Sequence, residues 1–189
     1  EDQDVYQTNS QYAQGFLDIM DNALASAQDI IVRAREIAVA MAGDTVTAGT
    51  RSSAATEVTE LYTQMLDVAN TDLSGRYVFA GSMYTTQPFN NAGVYQGDNN
   101  TPATKVGDNQ WVQTGYDGSQ VFASTVDIFV TLNNLITGLQ ANNSAAISTA
   151  LGDLDLSTTQ LSTWRSTIGS ETNSAEDAQA VAENISQVL

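Results

Sequence analysis

GFLDIMDNALASAQDIIVRAREIAVAM, residues 15–41, carries apolar side chains at Phe16, Leu17, Met20, Ala23, Leu24, Ala27, Ile30, Ile31, Ala34, Ile37, Ala38 and Met41, in alternating steps of three and four. That spacing is the period of an α-helix with one greasy stripe. Leu17, Leu24, Ile31 and Ala38 recur every seven residues beside Phe16, Ala23, Ile30 and Ile37, a stripe wider than a two-stranded seam. The width predicts a helix packed against two or more others, with Ala23, Ala27 and Ala34 in the core. Gly43 stands where a left-handed cap would end the helix, and the Gly- and Thr-rich stretch to Thr50 predicts a connection.

Helical spacing returns from about Ser53 to Leu73, through Ala54, Val58, Leu61, Tyr62, Met65, Leu66, Val68 and Ala69. The short connection makes this helix an antiparallel neighbour of the first. The character then changes. Arg76-Tyr77-Val78-Phe79-Ala80-Gly81 is aromatic and β-branched, and the chain up to Gly118 is rich in Gly and Asn and holds both Pro (Pro88, Pro102). We read 76–122 as a small β-rich insert between two parts of a helical rod, 1–75 and 123–189. Candidate strands are Tyr77 to Ala80, Gly93 to Gln96, Gln110 to Thr114 and Ser119 to Phe122, with turns at Gly97-Asp98-Asn99 and Tyr116-Asp117-Gly118.

Beyond the insert, Val126, Phe129, Val130, Leu132, Leu135, Ile136 and Leu139 predict another helix, ended by Ala141-Asn142-Asn143 before Ser144 as the next N-cap. The last stripe runs from Ile147 through Ala150, Leu151, Leu154, Leu161, Trp164 and Ile168, then Ala178, Val181, Ala182, Ile185, Val188 and Leu189, with Gly169 interrupting it, either to let two helices approach closely or merely tolerated at about 1 kcal/mol relative to Ala. One continuous helix over 144–189 would be about 65 Å long, which suits a rod. Helices before and after a single insert put that insert at one end and both termini toward the other, unless a crossover intervenes.

Composition removes whole classes of function. Twenty-two acidic against six basic residues, a formal charge of −16, is the wrong sign for phosphate backbones or anionic lipid. With neither His nor Cys, the common zinc sites and the Ser-His and Cys-His pairs cannot be built. No apolar run approaches the roughly 20 residues of a membrane helix. No basic-plus-apolar leader is present, and the chain opens at Glu1 as a trimmed fragment would.

The remaining candidates for chemistry are carboxylates. Glu57 with Glu60, and Asp18 with Asp21, lie three apart and share helix faces, and are read as solvated faces. Asp98-Asn99-Asn100 lacks the sixth-position Gly and final Glu of a calcium loop and is read as a turn. Lys105, the single Lys, sits in no phosphate-binding loop. Trp111 and Trp164 are read as core. No cofactor or metal is expected, and catalysis is not. A rival of another class places a binding or enzymatic site in the insert, with Asp98, Lys105, Asp108 and Asp117 as its polar groups.

Two blocks carry a family resemblance. Leu66-Asp67-Val68-Ala69-Asn70-Thr71, then Gly75-Arg76-Tyr77-Val78-Phe79-Ala80-Gly81, Thr86-Gln87-Pro88-Phe89, Val94-Tyr95-Gln96-Gly97-Asp98 and Gly118-Ser119-Gln120-Val121-Phe122 resemble the flagellin-like hook-associated proteins of the bacterial flagellum. Ile31-Val32-Arg33-Ala34-Arg35-Glu36-Ile37-Ala38-Val39 and Arg165-Ser166-Thr167-Ile168-Gly169-Ser170-Glu171-Thr172-Asn173 are similar to rod segments shared with flagellins, departing from the usual pattern at Ser170 and Ser174. The aromatic segment at Arg76 favours the hook-associated proteins over flagellins, which usually place a polar turn there. The resemblance implies a mainly α fold: an elongated antiparallel bundle, a flagellin-like rod, with a small β-rich tip domain inserted between helices and without the family's extreme terminal helices. It implies a secreted structural subunit at the hook-filament junction. Its partners would be its own copies in a ring, a neighbouring hook-associated protein, flagellin and an export chaperone, with no nucleic acid or membrane. Arg33, Arg35, Glu36, Arg165 and Asn173 are the candidate subunit contacts; the isolated fragment is expected to be a monomer. A flagellin with a shortened variable domain is the alternative within the same class.

Overall fold

The computed structural model describes residues 2–188, with side chains from 3 to 185. The stripe positions expected at Val188 and Leu189 therefore lie outside the described side chains. Helix α1 (Asp2–Met41) and helix α5 (Ser144–Val188) form the shaft. At 1.5 Å per residue their 40 and 45 residues give about 60 and 67 Å. They run antiparallel, as a ladder of side-chain bonds records: Arg35 to Asp155 at 2.5 Å, Gln28 to Ser162 at 2.9 Å, Arg165 to Asp21 at 2.9 Å, Gln14 to Gln179 at 3.0 Å and Gln7 to Glu183 at 3.3 Å. Between the rungs lies the heptad stripe: Leu17, Met20, Leu24, Ala27, Ile31, Ala34 and Ala38 are fully buried, as are Leu154, Leu161 and Ile168 on α5. Each large side chain so placed stabilises the fold by roughly 1.5–3 kcal/mol.

Helix α2 (Ala48–Ala69) turns back along α1, and helix α4 (Ile128–Gln140) packs between α2 and α5. Four helices thus share one core at this end, which is why the α1 stripe is too wide for a pair. The caps are local. Thr47 Oγ1 accepts the Thr50 N–H, Asp127 accepts those of Phe129 and Val130, and Asn143 Oδ1 accepts that of Ala146. Asn143, rather than Ser144, is the cap of α5; Asn142 takes the left-handed φ of 51° that the tight turn requires.

The segment between α2 and α4 contains two small antiparallel pairs, β1 (Asp72–Leu73) with β2 (Arg76–Tyr77), and β3 (Ala103–Gly107) with β4 (Gln110–Gln113). Ser74 and Gly75 both have positive φ, the two-residue turn that suits strand twist. Several strand expectations are corrected. Gln110 to Thr114 corresponds to β4, but Ala103–Gly107 is its unexpected partner. After Tyr77 the chain leaves strand geometry: Val78, Phe79, Ala80 and Gly81 are buried in succession, which an alternating strand on one core cannot achieve. Gly93 to Gln96 contributes a single bridge, Tyr95 to Phe89. Ser119 to Phe122 belongs to helix α3 (Gly118–Ala123), because Asp117 caps it through the Ser119 N–H at 2.8 Å.

The insert is anchored in two ways. Phe79, Phe89, Phe122 and Phe129 meet with ring centroids 5.0–5.5 Å apart for the pairs Phe79–Phe122, Phe89–Phe122 and Phe89–Phe129, and Tyr62 of α2 meets Phe129 at 5.7 Å. The β3–β4 hairpin lies on the terminal halves of the shaft: Tyr6 donates to Asp108 at 3.0 Å, Asn9 to the Lys105 carbonyl at 2.7 Å, and Gln110 to the Ser174 carbonyl at 3.0 Å. This corrects the expectation that the termini point away from the insert. Sequence order fixes the topology but not the lengths: α2 retraces only part of α1, so the chain enters the insert midway along the shaft.

Gly169 does not mediate close packing: it is exposed and a Cβ there would have nothing within 4 Å. Gly169→Ala should therefore stabilise the chain by roughly 0.5–1 kcal/mol, whereas Leu24→Ala should cost about 2–5 kcal/mol. Chemical denaturation of the two variants checks both; a destabilising Gly169→Ala or a neutral Leu24→Ala would contradict this packing.

Candidate functional site

The cations show how the surface is organised. Arg33 bridges Glu36 at 3.0 Å and Glu57 of α2 at 2.6 Å. Arg35 meets Asp155, and Arg165 meets both carboxylate oxygens of Asp21, at 2.9 and 3.0 Å, and Gln28 at 2.9 Å. All are exposed enough for solvent to screen them, so each pair contributes little to stability. Their effect is register: they join α1 to α2 and α1 to α5. Asn173 lies exposed on an open groove shared with Asp18, Asp21 and Ser170. The five candidate contact residues thus spread along the shaft without converging, and four of them carry intrachain bonds.

Arg51 went unnoticed in the sequence, because it interrupts no stripe and belongs to no motif. Only 4% exposed, it donates from Nε to the Met41 carbonyl at 2.9 Å, from Nη2 to the Gly43 carbonyl at 2.9 Å and from Nη1 to Asn142 Oδ1 at 2.5 Å. The end of α1 leaves carbonyls without helical partners, and the guanidinium supplies their donors while holding the α4–α5 turn.

The acidic residues singled out in the sequence are in part bonded within the chain. Of the helix pairs, Glu57 and Asp21 serve Arg33 and Arg165. In the insert, Asp98 and Asp117 flank Ala80, while Lys105 and Asp108 lie at Tyr6, so the four groups of the rival site do not meet. Asp117 is buried as the α3 cap. Asp98 accepts from the hydroxyl and the backbone N–H of Ser82 and from Asn100. A ring of donors is the wrong polarity for a cation; it is a turn, held by a carboxylate. Gly81, at φ +67°, lets the backbone pass against Asp98. Burial, reinforced by the charge of Asp117, pushes the Tyr95 phenol up, so it stays a donor, to the Asp98 carbonyl at 2.8 Å.

Among the described residues no group of three His, Cys, Asp or Glu could hold a metal, and no helix is long and apolar enough to cross a membrane. The cavities are open grooves. A volume of about 410 Å³ lies between Tyr6, the β3–β4 turn and Ala178, Val181 and Ile185 of α5, and another of about 300 Å³ beside Phe89, Val94, Tyr95 and Val130. Neither gathers convergent polar groups. Trp111, expected in the core, is 60% exposed, while Trp164 is half-buried, donating to the Gln120 carbonyl at 3.0 Å and packing edge-on with Tyr116.

A shaft of two long helices, thickened to four at one end and carrying a short insert between α2 and α4, is the flagellin-like rod. Residues 1–84 match the bacterial flagellin N-terminal helical region. Flagellar hook-associated protein 3 of Escherichia coli (strain K12) is 28% identical over 205 residues, covering 92% of this chain and 65% of that protein. Flagellar hook-associated protein 3 of Salmonella typhimurium is 31% identical over 124 residues, covering 61% of this chain and 39% of that protein. The chain thus spans less than two thirds of the length of these relatives. The flagellar junction protein FlgL of Legionella pneumophila has the same fold, with a TM-score of 0.85 at 17% identity over 98% of this chain and 93% of that one. In sequence and in fold the chain is thus similar to the flagellin-like hook-associated proteins.

The Ser82 hydroxyl, then its N–H and the groups of Asn100, hold the Asp98 carboxyl down at about 2. A depressed carboxylate stabilises the fold above its ordinary pKa, near 4, and that contribution disappears as pH falls through about 2. Asp98→Asn should therefore flatten the acid limb between about pH 4 and pH 2 in urea denaturation; an unchanged slope would show that the turn does not hold Asp98 charged.

Proposed function

We propose that this chain is a structural subunit that joins the hook of the bacterial flagellum to its filament. The observation that carries the reading is the match to hook-associated protein 3 over 92% of the chain. The stiffness of the shaft agrees with it. So does the internal use of polar groups, which leaves a surface suited to packing rather than to turnover. In this reading 1–75 and 123–189 are the rod and 76–122 a separate insert, and the subunit assembles as a ring with other flagellar components on either side, a hook-associated protein and flagellin. Arg33, Arg35, Glu36, Arg165 and Asn173 lie on lateral faces of the rod and are proposed to meet neighbouring copies with the hydrogen-bonding capacity that their intrachain bonds leave over.

Export of the unfolded chain through the flagellar apparatus, with a chaperone, follows from the same reading. The absence of Cys avoids cross-links during passage, and α1 with α2 can refold from local contacts. A filament-forming flagellin is the competing reading, and unlimited growth separates the two.

A strain lacking the protein should make intact hooks without attached filaments, seen by electron microscopy, and the full-length protein alone should not grow into long filaments. Filaments on the deletion strain, or unlimited polymerisation of the purified protein, would overturn the assignment.

A further inference from the structure

Arg76 stands apart from the other arginines. Arg33, Arg35 and Arg165 have carboxylate partners and Arg51 has carbonyl and amide acceptors, but the Arg76 guanidinium makes no hydrogen bond or ion pair with the described residues, and its Nε is buried without an acceptor among them. Its position is fixed nonetheless. The β1–β2 turn sets its backbone, and the Tyr77 N–H bonded to the Tyr84 carbonyl at 2.8 Å brings the next loop alongside. The guanidinium carbon then lies 3.9 Å from the Tyr84 ring centroid and 5.9 Å from that of Phe16, whose ring is itself 4.8 Å from that of Tyr12. Tyr12, Met83 and Tyr84 are 42%, 42% and 40% exposed, so the rim of this cluster faces outward.

Aromatic rings take the faces of a guanidinium and leave its edge, where the N–H donors lie in the plane, for a planar acceptor such as a carboxylate. An arginine set against tyrosine and phenylalanine rings, with an exposed Met next to one of them in the chain, has the composition of an interface centre. Charge selects the occupant: a copy of this chain offers 22 carboxylates against six cations, and four of the five arginines are already bonded internally. Two bodies of charge −16 repel each other, so an arginine with no acceptor among the described residues is a strong point of attraction between them.

We propose that Arg76, held between the Tyr84 and Phe16 rings with exposed Tyr12 beside Phe16 and exposed Met83 next to Tyr84 in the chain, receives an Asp or Glu carboxylate from a second copy of this chain. The inference rests on the ring proposed above and names one of its contacts. A photo-crosslinking amino acid placed at Met83 of the full-length protein, in isolated flagella, tests it, with the same probe at exposed Val39 on α1 as a second position. Cross-linked homodimers are expected from Met83, joined to a peptide carrying Asp or Glu. Arg76→Gln should reduce their yield roughly tenfold or more while leaving thermal unfolding of the chain in place, and Arg76→Lys should recover part of it. Self-cross-links from Val39 but not from Met83, or a Met83 yield indifferent to Arg76→Gln, would overturn this contact and leave the ring intact. No self-cross-link from either position would overturn both.

Discussion

The apolar seam between α1 and α5 is the contact on which the other parts depend. A two-helix shaft has no second layer to hide behind, so its heptad stripe must be buried by its partner or by the elements laid across it. In one half α2 and α4 provide that cover. In the other, the β3–β4 hairpin rests against α1 and α5, and α3 against α5. The polar rungs add little energy individually, but they have one register in which Gln28 meets Ser162 and Arg165 meets Asp21. A slip by one turn would strand several buried side chains at once.

The insert has little regular structure because it does not stabilise itself. Two pairs of short strands cannot stand alone in water. The phenylalanine cluster ties it to α2 and α4, and turns such as that of Asp98 satisfy backbone groups that a larger sheet would have paired. Gly118 makes the same point at one atom: a Cβ there would sit 2.6 Å from the Phe79 carbonyl, so the entry to α3 must pass flush against the buried strand-like segment. The insert is an outgrowth of the shaft, with its polar groups divided between its own turns and the flanks of α1 and α5.

The helices were legible because burial on one side of a helix imposes a period that few other structures share. The stripe of α1 gave its partners' number as well as its face, since Phe16, Ile30 and Ile37 are buried beside the central Leu17, Leu24 and Ile31. The insert was less legible because β-branched and aromatic residues report burial rather than strand geometry. Ser119-Gln120-Val121-Phe122 looks like a strand until Asp117 is seen to cap it. Trp111 was misplaced for a related reason: in a two-stranded ribbon one face has no cover. Arg51 and Arg76 were beyond periodicity, since what distinguishes them is the presence or absence of acceptors contributed by remote segments.

Every element owes its place to α1 and α5 lying side by side in opposite directions over their whole length, and the absence of native Cys allows this to be probed cleanly. The most direct measurement is cross-linking of paired cysteines by a short bifunctional thiol reagent. Gln14→Cys with Gln179→Cys, whose native amides bond at 3.0 Å, should close within a single chain in high yield. Gln14→Cys with Ser162→Cys, displaced by about 26 Å along α5, should not. Equal yields from the two pairs, or closure only of the displaced one, would contradict the shaft described above.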